Sequence, residues 1–142
     1  MTSSVPGAAS HPPTPPIPGD RRTVLVVDDD LGTRETFSWV LTAHGFRVST
    51  ASSGARAETV GKSGHFDLML VDLRLPDISG IDVVRSLQRD GSHVRFMVVS
   101  AFLTSHIADE ARRLGASSVL EKPLSVDDLM THVRAALDDL PH

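Results

Sequence analysis

The chain contains no cysteine, so disulfides, thiol nucleophiles and thiolate metal sites are excluded. Aromatic residues make up 4% of the 142 positions, too few for a base-stacking surface. There is no basic cluster, and a formal charge of −4 gives no electrostatic reason to bind nucleic acid. Apolar runs stop at about four residues, far short of a membrane span. The N-terminus lacks the positive and apolar regions of a signal peptide. A soluble cytoplasmic protein is therefore expected. GxGxxG, GxxxxGK[ST] and GxSxG are all missing, so dinucleotide, P-loop and nucleophile-elbow chemistry have no support. The seven histidines show no metal-ligand spacing, and His44, His65 and His132 read as surface or helix-end residues.

Proline is concentrated at one end. Residues 1–22 hold most of the nine prolines, including Pro12-Pro13-Thr14-Pro15-Pro16. Proline lacks the backbone donor and fixes φ, and the stretch has few large apolar groups to offset ordering entropy. Residues 1–22 are expected to form a disordered, partly polyproline II tail, with one domain over 23–140. No output domain for DNA binding or catalysis is expected within that length.

From Thr23 onward, short β-type runs alternate with helical patterns. The runs 24–28, 46–50, 67–71, 95–99 and 117–121 predict strands. The first, third and fourth are almost continuously apolar, as strands covered on both faces should be. Helices are predicted over 33–44, 53–62, 80–90, 104–114 and 125–138. Their inward faces carry Phe37, Val40 and Leu41, then Ile81, Val84 and Leu87, then Ile107, Ala108 and Ala111, then Leu129 and Val133. Gly45 and Gly115 stop two of them, and Ser125 caps the last. Five βα units predict an α/β fold, a doubly wound five-stranded parallel sheet with helices on both faces.

Ligands bind at the carboxyl ends of strands in such sheets, and several strands here end in chemistry. Val24–Val27 runs into Asp28-Asp29-Asp30. Clustered carboxylates at a buried edge need a cation, and Mg²⁺ suits them because it keeps waters that a phosphate can replace. Asp30 is also placed to cap the next helix. Leu68–Val71 runs into Asp72, followed by a Pro76-to-Gly80 loop that leads into a helix. A carboxylate at a strand tip beside a metal can attack a phosphoryl group and form an aspartyl phosphate. Phe96–Val99 ends at Ser100, whose hydroxyl can donate to one phosphoryl oxygen. Val119-Leu120-Glu121 ends at Lys122-Pro123, where an ammonium can pair with another oxygen. An X-Pro bond here permits the cis form, which would aim the lysine inward.

Taken together, Val-Leu-Val-Val-Asp28-Asp29-Asp30, Leu-Val-Asp72-Leu-Arg-Leu-Pro76 with Gly80, Val-Val-Ser100-Ala101 and Gly115-Ala116 before Lys122-Pro123 closely resemble the receiver domain of bacterial two-component response regulators. The resemblance runs from about Arg22 to Leu140 and implies a flavodoxin-like fold. It implies Asp28 and Asp29 as the acidic metal pair, Asp72 as phosphoacceptor, and Mg²⁺ held by these three with the backbone carbonyl of Arg74. Ser100 becomes the switch hydroxyl and Lys122 the phosphate-contacting lysine. The donor becomes a sensor histidine kinase or a His-phosphotransfer protein, and the output becomes binding to a downstream protein target. Two positions depart from the family pattern. Val119 stands where an aromatic usually reports activation, and Ser117-Ser118 replaces a common acidic pair. Aromatic gating is thus not expected, and coupling is expected through residues 101–105, with Phe102 and His106 repacking.

Two competing readings fit less well. Asp28-Asp29-Asp30-Leu31-Gly32-Thr33 is similar to the nucleophile motif of haloacid-dehalogenase phosphatases, but Thr33 falls one place late. A non-phosphorylated pseudo-receiver would not need the intact acid set.

Overall fold

Regular β-branched and apolar runs take up the strands, and the helices lie between them. The computed structural model describes residues 22–138. It contains β1 (Thr23–Val27), α1 (Leu31–Ala43), β2 (Arg47–Ala51), α2 (Gly54–Ser63), β3 (Leu68–Val71), α3 (Gly80–Arg89), β4 (Arg95–Ser100), α4 (Ser105–Arg113), β5 (Ser118–Glu121) and α5 (Val126–Leu137). The tail assigned to residues 1–22 lies outside the described residues except for Arg22. That residue is tied to the fold: its carbonyl accepts from Arg47 N, and its guanidinium donates to the Leu137 carbonyl.

All strand pairs are parallel, in the order β2-β1-β3-β4-β5. This is the doubly wound sheet expected. The three central strands are the three continuously apolar runs, and their apolar side chains are buried. Side chains alternate across the sheet. Val24, Val26, Leu68, Leu70, Met97 and Val99 therefore pack under α1 and α5, against Phe37, Leu41, Leu129 and Val133. Leu25, Val27, Met69, Val71, Phe96 and Val98 meet Ile81, Val84, Leu87 and Ala111 on the other face. Burying one such large side chain contributes about 1.5–3 kcal/mol, so the two layers hold the strand ends rigidly.

α4 is the thin part of the shell. Only Ala108 and Ala111 are buried along it, with Ile107 and Leu114 half-buried. Polar contacts to α3 fasten it instead. The Arg85 guanidinium pairs with Glu110, and Gln88 donates to the Leu114 carbonyl at 2.9 Å.

Register sets the position of the site. Val27 pairs with Val71, so the next residues, Asp28 and Asp72, emerge side by side. Ser100 pairs with Glu121, which puts Lys122 one step beyond the end of β5. Order reverses between β1 and β3, the switch point where a doubly wound sheet leaves a crevice.

Candidate functional site

Four of the strand ends converge at that crevice. Backbone hydrogen bonds continue the ladder one residue past three of the strands: Asp28 N to the Ala51 carbonyl, Asp72 N to the Val27 carbonyl and Lys122 N to the Ser100 carbonyl. The acids are therefore held by strand geometry. Asp28, Asp29 and Asp72 each bring a carboxylate oxygen within 4.8 Å of the others. Asp28 is 3% exposed and Asp72 is 7% exposed, while Asp29 faces solvent.

One cation serves the two buried acids. Lys122 Nζ lies 2.5 Å from Asp28 Oδ2 and 3.1 Å from Asp72 Oδ2. The Lys122–Pro123 bond is cis, and the ammonium points inward as expected. Burial pulls the Lys122 ammonium towards the neutral form, but the hydrogen bonds to Asp28 and Asp72 outweigh it and raise its pKa. Burial pushes the Asp28 carboxyl up. Bonds from Lys122 and the Asp30 N–H oppose that rise, and the Asp72 charge adds to it. A single ammonium cannot neutralise both acids and Asp29 as well. Three carboxylates against one lysine leave two negative charges, which matches the demand of a divalent, oxygen-seeking cation such as Mg²⁺.

Second contacts aim these groups. Asp28 Oδ1 accepts from Asp30 N at 2.9 Å, and Asp72 Oδ1 accepts from Arg74 N at 3.1 Å. Arg34 donates to the Asp28 carbonyl at 2.8 Å. Asp30 caps α1, accepting from Thr33 N at 2.8 Å and from Thr33 Oγ1 at 2.9 Å. Ser100 is fully buried, and its hydroxyl accepts from Phe102 N at 3.2 Å. Ser100 thus stands at the neighbouring strand end, engaged with its own loop.

The 73–79 loop is fastened at both ends. Gly80 N donates to the Leu73 carbonyl, closing the Arg74–Ser79 bridge. A side chain at Gly80 would run into the Asp72 carbonyl, so only glycine allows α3 to start this close. Asp77 crosses to α2, where its two oxygens accept from Gly54 N and Ala55 N at 2.8 Å each. Sequence reading missed this bond because the partners lie more than twenty residues upstream. It also missed the Arg74 side chain, whose guanidinium stacks 4.1 Å from the Phe102 ring centroid. Beside Lys122, a cavity of about 550 Å³ opens between α1 and the β5–α5 loop, lined by Thr33, Phe37, Ala101, Pro123 and Leu124 among others. His44 caps α1, His65 is exposed beside Asp67, and His132 sits half-buried on α5 against Ser118.

Sheet order and acid cluster together define a doubly wound α/β domain with an acidic crevice at its switch point. The chain belongs to the response regulator receiver domain family, which it matches over residues 24–134. It is 34% identical over 116 residues to the cell cycle transcriptional regulator CtrA of Caulobacter vibrioides, covering 80% of this chain and 49% of CtrA. It is 32% identical over 114 residues to the transcriptional regulatory protein CusR of Escherichia coli, covering 80% of this chain and 50% of CusR. The chain thus spans about half the length of these relatives. Among solved structures, the non-phosphorylated HemR receiver domain of Leptospira biflexa superposes with a TM-score of 0.79 at 28% identity, covering 86% of this chain and 99% of that one. TrrA of Thermotoga maritima, solved with Mg²⁺ and beryllofluoride, gives 0.73 at 28% identity, covering 82% and 99%. Receiver domains of two-component systems bind Mg²⁺ at an acidic pocket and partner with histidine kinases or phosphotransfer proteins. No helix among the described residues is long and apolar enough to cross a membrane.

Proposed function

We propose that Asp72 accepts a phosphoryl group from the phosphohistidine of a sensor kinase or His-phosphotransfer protein. The observation that carries this reading is the meeting of Asp28, Asp29, Asp72 and Lys122 at the sheet's switch point. A carboxylate oxygen of Asp72 bonds to phosphorus as the phosphorus–nitrogen bond breaks, and the imidazole leaves with the electron pair and takes up a proton. Both Asp72 oxygens are hydrogen-bonded, to Arg74 N and Lys122 Nζ, so the nucleophile is oriented before the donor arrives. Asp28, Asp29, Asp72 and the Arg74 carbonyl would hold Mg²⁺, which when bound supplies charge neutralisation for the acids and the phosphoryl oxygens. Lys122 follows the new charge, shifting from Asp28 to a phosphoryl oxygen. Ser100 turns its hydroxyl from Phe102 N to another. The cavity between α1 and the β5–α5 loop offers the donor its approach to Lys122. The altered 101–105 loop then selects a downstream protein.

The test is incubation of the full chain with acetyl phosphate and Mg²⁺, read by intact mass. One stable phosphoryl group per chain is expected, and none on Asp72→Asn, whose amide cannot act as the anionic nucleophile. Equal labelling of the Asn variant refutes the assignment. Multiple turnover of a generic phosphate ester would instead show a phosphatase.

A further inference from the structure

At the opposite end of the sheet from the carboxylates, the last turns of α2 and α3 bring Gly61, Gly64, Gly91 and Ser92 around one gap. None of these carries a side chain large enough to fill it, and a cavity of about 400 Å³ remains. That volume falls in the range of about 300–1,000 Å³ found for ligand clefts. Buried Leu25, Met69 and Leu87 form its floor, and the partly buried Phe66 and Val94 form its walls. The chain enters the domain at the rim of this cavity. Thr23 N donates to Asp67 Oδ2 and Thr23 Oγ1 donates to the His65 carbonyl, each at 2.9 Å, and both Asp67 and His65 line the cavity. Arg22 is bonded to Arg47 and Leu137, so the point from which residues 1–21 depart is fixed. Within them, Pro15-Pro16-Ile17-Pro18 is the apolar stretch nearest the domain, and Gly19-Asp20-Arg21 joins it to Arg22.

We propose that the segment Pro15–Pro18 docks into this cavity of its own domain, with Ile17 on the floor of Leu25, Met69 and Leu87 and the flanking prolines against Phe66 and Val94. The reach is sufficient. Five residues separate Ile17 from Thr23, and at about 3.1 Å per residue in polyproline II the six steps span up to roughly 19 Å. The cavity begins at the groups that bond Thr23, well inside that radius. Gly19 supplies the turn back, since glycine takes either sign of φ without steric cost. Ordering costs little, because Pro15, Pro16 and Pro18 have φ fixed in advance. A short tether holds the segment at an effective concentration in the millimolar range, so a contact too weak to retain a free peptide suffices. Proline-rich segments pair with aromatic surface, which Phe66, His65 and His93 provide. His93 also has a ring N–H to donate to a carbonyl of the segment, which in polyproline II has no internal partner. The docked segment closes the end of the α2–α3 layer, and residues 1–14 take no part. None of this depends on phosphorylation of Asp72, which lies at the other end of the strands.

The test compares the full-length wild type with Ile17→Asp by amide NMR and thermal denaturation. Amide shifts are expected to differ over 64–66 and 91–94 and to coincide around Asp72 and Ser100. Losing the burial of one isoleucine should lower Tm by about 3–8 °C. A substitution in an undocked tail would move neither readout. Ile17→Leu should keep the wild-type shifts and Tm, because leucine fills a similar volume. In the wild type, nuclear Overhauser contacts are expected between the Ile17 methyls and the Phe66 ring. Spectra of wild type and Ile17→Asp that coincide over 64–66 and 91–94, or equal melting of the two, overturn the proposal. Dilution separates the two sources of the segment. Shift differences that persist on dilution support docking within the chain, whereas differences that fade assign the segment to a second copy and overturn it.

Discussion

Gly80→Ala tests whether the start of α3 is held as close to the phosphoacceptor as the structure shows. A Cβ there would sit nearer the Asp72 carbonyl oxygen than real Cβ atoms come, with the carbonyl carbon and Val71 Cγ2 each 3.0 Å away. The carbonyl cannot yield easily, since Asp72 N is bonded to Val27 at 2.9 Å and the strand is buried. α3 must retreat by about 1 Å to reach ordinary contact. That retreat strains the Gly80 N bond to Leu73 and loosens Ile81, Val83, Val84 and Leu87 from the sheet. Overpacking of this kind costs about 1–3 kcal/mol, and a weakened hydrogen bond about 1 more. The gain in helix propensity returns about 0.5–1 kcal/mol. A net loss of about 1–3 kcal/mol should lower Tm by roughly 4–12 °C for a domain of this size. Because the same shift drags the 73–79 loop, Mg²⁺ should stabilise the variant less than it stabilises the wild type. Thermal denaturation with and without Mg²⁺ reads both effects. Gly32→Ala is the control, because its Cβ would meet only the end of the Asp30 side chain, at 3.3 Å. A Gly80→Ala protein that melts with the wild type would refute the steric argument.

Two further outcomes follow from the loops. Backbone bonds from Ala55 and Gly54 hold the Asp77 carboxyl below its ordinary pKa, so its contribution to stability is present above the ordinary aspartate range and lost as pH falls through the depressed value. Asp77→Asn should lower the denaturation midpoint at neutral pH and flatten its fall in acid. Asp30, similarly depressed by Thr33, keeps part of that fall, and an unchanged acid limb would show the Asp77 contact to be idle. With beryllofluoride and Mg²⁺, amide exchange should change most over residues 101–106, because Arg85 and Gln88 pin α4 to α3 and Val119 is too small to carry a rotamer switch. Changes confined to 117–121, with 101–106 silent, would contradict this route.

The central sheet was legible because its three inner strands are unbroken apolar runs of four residues, too short for a buried helix and without the polar face of an amphipathic one. The site was legible for a related reason: each of those runs ends in a polar residue, so the chemistry could be placed at strand tips before any register was known. Helix starts were less so. α1 begins at Leu31, two residues earlier than expected, because the Asp30 cap fixes it and Leu31-Gly32 carries no periodicity. α4 showed a helical pattern, yet nothing in it disclosed that only two alanines are buried and that Arg85 and Gln88 fasten the rest. The bond from Asp77 to α2 and the stack of Arg74 on Phe102 are contacts between distant loops, set by the sheet's closure and without local spacing to announce them.

If Asp72 is phosphorylated as proposed, the energetics of the resulting switch follow from one weak bond. In this state the Ser100 hydroxyl accepts from Phe102 N at 3.2 Å, and that contact fixes the first turn of the 101–104 loop, most of which is exposed. When the hydroxyl turns to a phosphoryl oxygen, the Phe102 N–H loses its partner. Water can replace it because the loop is exposed, so the net cost is about 1 kcal/mol rather than that of a buried orphan. The opposing gain, a hydrogen bond to a charged oxygen, is about 1.5–3 kcal/mol. The difference of about 0.5–2 kcal/mol leaves the altered loop favoured roughly two- to thirtyfold once the phosphoryl group is present. A response of that size needs no rearrangement of the core. The cost of about 1 kcal/mol places the two states within thermal reach of each other before phosphorylation, and a partner that prefers the altered loop would by linkage stabilise the phosphorylated form by the same factor by which phosphorylation raises its affinity.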